Sequence, residues 1–116
     1  MTSRKALEPI RVRRDFLAAA KADKHVCRGL VLQARHRHDA EPPRFGLTAT
    51  KKLGNAVVRN RTKRRLRALA HELFPQHAQN GYDYVLIGRV HTKNRDWGAL
   101  QTDLTSALQA IHAETA

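Results

Sequence analysis

Apolar positions along this chain recur at two different spacings. Val58, Thr62, Leu66, Leu69 and Leu73 fall four, four, three and four residues apart. That rhythm gathers one face of a helix over about Ala56–Phe74, which Pro75 is expected to stop. Arg59, Lys63 and Arg67 form a neighbouring stripe, Arg61 and Arg64 take the remaining sides, and Arg65 lies at the apolar edge, where its stem can snorkel. Trp97, Leu100, Leu104, Leu108 and Ile111 repeat the pattern over Asp96–Ala113, with a start at Asn94 or Arg95–Asp96. A shorter helix is read from Asp15 through the alanines at 18–20, with Asp15 near its start, where the helix dipole favours an acid.

The strand-like stretches lie between these helices. Leu30–Ala34 is a short β-like run. Phe45–Thr50 alternates apolar with small or polar residues, as a half-buried strand does, and Tyr82–Gly88 reads as a strand with a fully buried end. His36–Pro43 is a polar loop with two prolines, and Gln76–Gly81 is another loop. Lys51–Asn55 is a turn: Gly54 supplies backbone freedom and Asn55 can hydrogen-bond its own backbone. Residues 1–13 are polar, basic and interrupted by Pro9, which predicts a flexible extended arm. There is no internal repeat. The order of elements predicts an α+β two-layer sandwich rather than a helical bundle, and the length of 116 residues fits one domain.

Charge changes this picture. The chain carries 22 Lys and Arg against 10 Asp and Glu, a formal net charge of +12. A balance of that kind points to a polyanion, and nucleic acid fits better than a membrane, because no apolar run approaches the length of a transmembrane helix. The N-terminal residues lack the apolar core of a signal peptide, and the single Cys27 excludes an internal disulfide, so a cytoplasmic protein is expected.

The charge is also concentrated. Six basic residues occupy the nine positions from Arg59 to Arg67, and no acid falls between Pro42 and His71. Like charges crowded on one helix repel, and a bound phosphate backbone would relieve that cost. If about six of these groups meet phosphates, the log–log salt slope of binding is on the order of −4 to −6. The competing reading, a merely solvated face, accounts poorly for a run this wide and this free of acids.

Other chemistry is thinly represented. His36 and His38 read as a solvated pair rather than metal ligands, since no Cys or paired carboxylate lies near them in sequence. Cys27 reads as a small buried residue. The scattered acids offer no carboxylate pair for nuclease chemistry.

The pattern Lys51-Lys52-x-Gly54-Asn55-Ala56-Val57-x-Arg59-Asn60-Arg61-x-Lys63-Arg64-x-x-Arg67 resembles the arginine–asparagine–arginine signature of the bacterial ribonuclease P protein subunit. Phe16 after Asp15, the strand before the lysine pair and YDYVLIGR after the signature agree with it, so the resemblance spans roughly residues 10–112. It implies a mixed four-stranded sheet with three helices and a left-handed βαβ crossover through the basic helix. It implies an endoribonuclease whose chemistry and Mg2+ ions reside in a catalytic RNA subunit, with no catalytic residue, metal or cofactor held by the protein itself. It implies two partners: that RNA, and precursor tRNA, whose 5′ leader is removed. By the same resemblance, Lys51, Lys52, Arg59, Asn60, Arg61, Lys63, Arg64 and Arg67 form the RNA-binding set. Phe16 sits in a leader cleft, flanked by Arg13 and Arg14, with Arg89 reaching the same cleft. This chain has Ala20 and the strand Leu30–Gln33 where the family often carries aromatics, so Thr48 and Thr50 are expected to contribute hydrogen bonds to the leader. Phe16 also has a plainer role open to it, as the anchor of the first helix. The alternatives are a non-catalytic structural RNA-binding protein such as a ribosomal component, a DNA-binding regulator, and a metal enzyme built on His36 and His38.

Overall fold

The structure, a computed structural model, describes residues 7–115, with side chains to residue 113. Five strands form one mixed sheet: β1 (Glu8–Pro9), β2 (Asp23–Val26), β3 (Leu30–His36), β4 (Arg44–Thr48) and β5 (Tyr82–Gly88), in the order β1-β4-β5-β3-β2. The helices are α1 (Arg13–Ala20), α2 (Ala56–His77) and α3 (Trp97–Thr115). β4 and β5 are parallel neighbours joined through α2, whereas β3 runs antiparallel to both β5 and β2.

Alternation divides the sheet into two faces. Leu30, Leu32 and Ala34 of β3 and Tyr82, Tyr84 and Leu86 of β5 point to one side. There they bury against Leu66, Leu69, Ala70 and Phe74 of α2 and Leu100, Leu104 and Leu108 of α3. Each fully buried leucine contributes roughly 1.5–3 kcal/mol. On the other side Val85 meets Ile10, Ala19 and Phe16 in a smaller core under α1. β5 is covered on both faces, which is why its sequence is apolar with few breaks. Gly88 lets α2 approach β5 closely: a Cβ there would collide with Cγ2 of Thr62.

Four expectations are corrected. The sheet has five strands, not four, and two of them lack the apolar signal that marks a strand. β2 is a polar, largely exposed edge, formed because Asp23–Val26 pairs with Val31–Ala34 across a tight turn at Cys27–Gly29. β1 lies within the stretch read as a flexible arm. Glu8 and Pro9 pair with Arg44 and Phe45, and the Ile10 N–H donates to the Phe45 carbonyl at 3.0 Å, so burial of Ile10 ties residues 8–10 to the sheet. The part of the arm at residues 1–6 lies outside the described residues. Pro75 does not stop α2, which continues to His77. A proline removes only one helical N–H, and here the last turn is held by the Ala78 N–H donating to Phe74 O at 2.8 Å, with both residues buried in the core. Finally, the first helix begins at Arg13, two residues before Asp15.

Candidate nucleic-acid interface

α2 presents the basic signature, and its start is fixed by local chemistry. Lys51–Leu53 form one 3-10 turn, with both lysines exposed. Gly54 follows at φ 138°, a backbone setting that side-chain-bearing residues rarely adopt. Asn55 then caps α2, its Oδ1 accepting the Val58 N–H at 3.0 Å. The helix is therefore held in register where it leaves the sheet.

Around α2 the polar side chains of this stretch divide into three groups. Asn60, Arg61 and Arg64 are exposed on the outward side. Lys63 and Arg67 turn toward the edge of β4, where they line a groove of about 220 Å³ together with Pro9, Ile10, Phe16, Phe45, Gly46 and Leu47. Arg59, first in that row, is half-buried, and its Nε is buried without a hydrogen-bond partner. Arg65 turns the other way. Its guanidinium donates to the carbonyls of Thr92 at 2.6 Å and Arg95 at 2.7 Å, and it lies 5.5 Å from the Trp97 ring centroid.

The groove brings Phe16 together with two cations of the signature, a grouping that spacing within α2 could not reveal. Phe16 is half-buried and packs into the small core under α1, so it is both an anchor and a lining residue. Phe45 is the aromatic that sequence reasoning missed. It was visible only as one position of a strand, and its ring is steadied edge-on by His71 at 5.6 Å and Phe74 at 6.0 Å.

The other expected cleft residues lie outside the lining of this groove. Arg13 and Arg14 are exposed on α1, and Thr48 and Thr50 lie at and beyond the end of β4, but none lines this groove. Arg89 is exposed at the end of β5. Its Nη1 donates to the Cys27 carbonyl at 2.6 Å, tying the end of β5 to the β2–β3 turn.

Not every arginine is available to a ligand. Asp83 is fully buried and receives Arg44 at 2.7 Å through both oxygens and Arg37 at 2.7 Å. Asp15 receives Arg35 at 3.1 Å and Arg44 at 3.3 Å. Burial pushes the Asp15 carboxyl up, but the Arg35 hydrogen bond and the charges of Arg44, Arg35 and Arg14 outweigh it and hold it below its ordinary value. This network clamps α1 to the sheet. A second pair, Arg95–Asp103, joins α3 to the loop before it at 2.6 Å. Asp15, Asp83 and Asp103 are thus spent on structure, and no described acid pairs with the outward Arg61 or Arg64.

The remaining candidates fit their plainer readings. Cys27 is half-buried, its Sγ 3.3 Å from the Asp103 carbonyl, and burial pushes its thiol up. His36 and His38 are exposed, their rings 4.4 Å apart, with His36 resting on Tyr82. Among the described residues no three His, Cys, Asp or Glu side chains gather as a metal site, and no helix is long and apolar enough to cross a membrane.

Comparison with known proteins shows what the whole chain is similar to. The Ribonuclease P family model matches residues 5–112. The ribonuclease P protein component of Caulobacter vibrioides is 49% identical over 109 residues, covering 92% of this chain and 72% of that protein. The corresponding protein of Ruegeria pomeroyi is 47% identical, covering 90% and 86%. The solved structure of the Staphylococcus aureus RNase P protein superposes with a TM-score of 0.73 at 27% identity, covering 89% of this chain and 94% of that one.

Proposed function

The chain belongs to the ribonuclease P protein family, and from that premise we propose that it grips two RNAs with one helix. As a ribonuclease P protein component it serves a ribonucleoprotein endoribonuclease that processes tRNA. On our reading, the catalytic RNA subunit lies against the outward side of α2, where Asn60, Arg61 and Arg64 stand, and against Lys51 and Lys52 at its start. Guanidinium groups can fork onto two phosphate oxygens there. The 5′ leader of precursor tRNA enters the groove at the β4 edge, with phosphates near Lys63 and Arg67 and a sugar or base against Phe16 and Phe45. Arg59 stands between the two.

The observation that carries this reading is the groove itself. It joins an aromatic floor to two cations of the helix on which Arg61 and Arg64 face outward. The chemistry belongs to the RNA, which would hold the Mg2+ ions. This chain contributes charge screening and substrate grip, and works in the cytoplasm. Its acids support that division, because Asp15, Asp39, Asp83 and Asp103 are each paired with an arginine.

Reconstitution with a bacterial catalytic RNA tests the proposal. Adding the chain is expected to raise precursor tRNA cleavage at low magnesium and to tighten binding of precursor over mature tRNA. Unchanged cleavage on addition of the protein would reject it.

A further inference from the structure

A second cationic surface lies beside α2, outside the signature. The loop between β5 and α3, residues 89–96, and the β2–β3 turn at Cys27–Gly29 enclose a concavity of about 310 Å³ lined by Arg28, His91, Lys93 and Asn94 among others. Arg28, His91 and Asn94 are exposed and Lys93 is half-buried. The side chains of Arg28 and Lys93 make no hydrogen bond or ion pair with the described residues. The nearby acids are engaged: Asp103 takes Arg95, and Asp96 accepts the Ala99 N–H at 3.2 Å.

The loop is held firmly for an irregular segment. Thr92 is fully buried, and its Oγ1 donates to Gly29 O at 2.5 Å while accepting the Arg89 N–H at 2.8 Å. The Asn94 and Arg95 N–H groups both return to His91 O. Arg65 closes the set from α2 by its two bonds to Thr92 O and Arg95 O. Arg61 lies one helical turn before Arg65 on the same side of α2, and residues four apart are neighbours on a helix surface. Arg65 thus ties α2, which carries the exposed Arg61 one turn earlier, to the loop that carries Lys93.

We propose that the β5–α3 loop and Arg28 form a second phosphate-binding surface for the catalytic RNA subunit, held in place by Arg65. This inference rests on the ribonuclease P reading above and extends the surface that the same RNA would meet. Arg65 is a positioning residue here: its charge goes to the loop backbone, not to phosphate. A pre-ordered loop loses little entropy on binding, so its cations add to affinity with little offset.

The test compares the full chain with Arg28→Ala/Lys93→Ala, titrating the catalytic RNA subunit at several salt concentrations. Neither replaced side chain bonds to another described residue, so the variant should fold, which circular dichroism checks. Each lost phosphate contact lowers the log–log salt slope by about 0.7–0.9, so the double variant should lower it by about 1.4–1.8. Arg65→Ala should also weaken binding, and adding Arg28→Ala/Lys93→Ala to it should cost less than in the wild-type background, since a loosened loop no longer presents those groups. A normal slope in the double variant, or a loss seen with precursor tRNA and not with the RNA subunit, overturns the inference. Full additivity with Arg65→Ala also overturns it. If the wild-type chain does not bind the RNA subunit at all, this inference and the reading beneath it fall together. If the wild type binds and the double variant matches it, this inference falls alone.

Discussion

The ring of Phe16 lies directly on Gly46: a Cβ built at residue 46 would fall 2.5 Å from Cε1 of that ring. Glycine at this point of β4 lets an α1 residue reach the sheet, and it sets the floor of the groove. Gly46→Ala forces the ring to move, and overpacking of this kind costs about 1–3 kcal/mol. We expect precursor tRNA affinity to fall several-fold while affinity for the RNA subunit stays near wild type. If both affinities are unchanged in a folded variant, Phe16 does not form part of the leader site.

The cap at Asn55 should matter to stability more than to recognition. Its Oδ1 accepts from Val58 N at the start of the longest helix in the fold. Asn55→Ala is expected to cost about 1 kcal/mol, because the first-turn donors lose their partner. Thermal unfolding should show a lowered midpoint, and Asn55→Asp or Asn55→Ser should recover most of the loss. An Asn55→Ala midpoint equal to wild type would mean that the turn at Gly54 alone fixes the helix start.

Much of this arrangement was legible in the sequence. The apolar rhythm located α2 and α3 and identified Thr62, Leu66 and Leu69 as buried, because a long helix must repeat its pattern to bury one face. What escaped was information that lies between elements. Spacing alone puts Lys63 and Arg67 on one stripe with Arg59, beside the apolar face. The structure adds that both line the groove at β4, since that stripe drifts around the helix and the strand edge lies beneath it. The edge position of Arg65 predicts snorkelling, but its partners are backbone carbonyls 27 and 30 residues away. β2 escaped because pairing with a strong neighbour, rather than its own side chains, makes it a strand.

Acid should loosen the hold of α1 on the sheet. The Asp15 carboxyl sits below its ordinary value of 3.8 in the folded chain. Above that value Asp15 is charged in both states, and its contribution to stability is complete. As pH falls below it, the unfolded chain binds a proton before the folded chain does, so stability drops until the lowered folded value is passed. Asp15→Asn removes this contribution. It should be less stable than wild type at pH 7 and show a flatter loss of stability below about pH 4. Some slope will remain, because Asp39 is held low in the same way by its Arg37 hydrogen bond. Urea midpoints from pH 3 to 7 measure this, and parallel curves for the two proteins would remove Asp15 from the account.

The two sides of α2 should be separable by mutation. Arg61 and Arg64 are exposed on the outward side, whereas Lys63 and Arg67 line the groove with Phe16. None of the four is hydrogen-bonded to another described residue, so neither double variant should unfold the domain. Arg61→Ala/Arg64→Ala is expected to weaken binding to the RNA subunit and lower its salt slope by about 1.4–1.8, while leaving the ratio of precursor to mature tRNA affinity intact. Lys63→Ala/Arg67→Ala should do the reverse: the ratio collapses toward one, and RNA-subunit affinity changes little. The discriminating quantity is the ratio, because a general loss of positive charge would lower every affinity together. Equal losses across both assays for both variants would mean that α2 acts as a diffuse cationic rod and that the groove has no separate occupant.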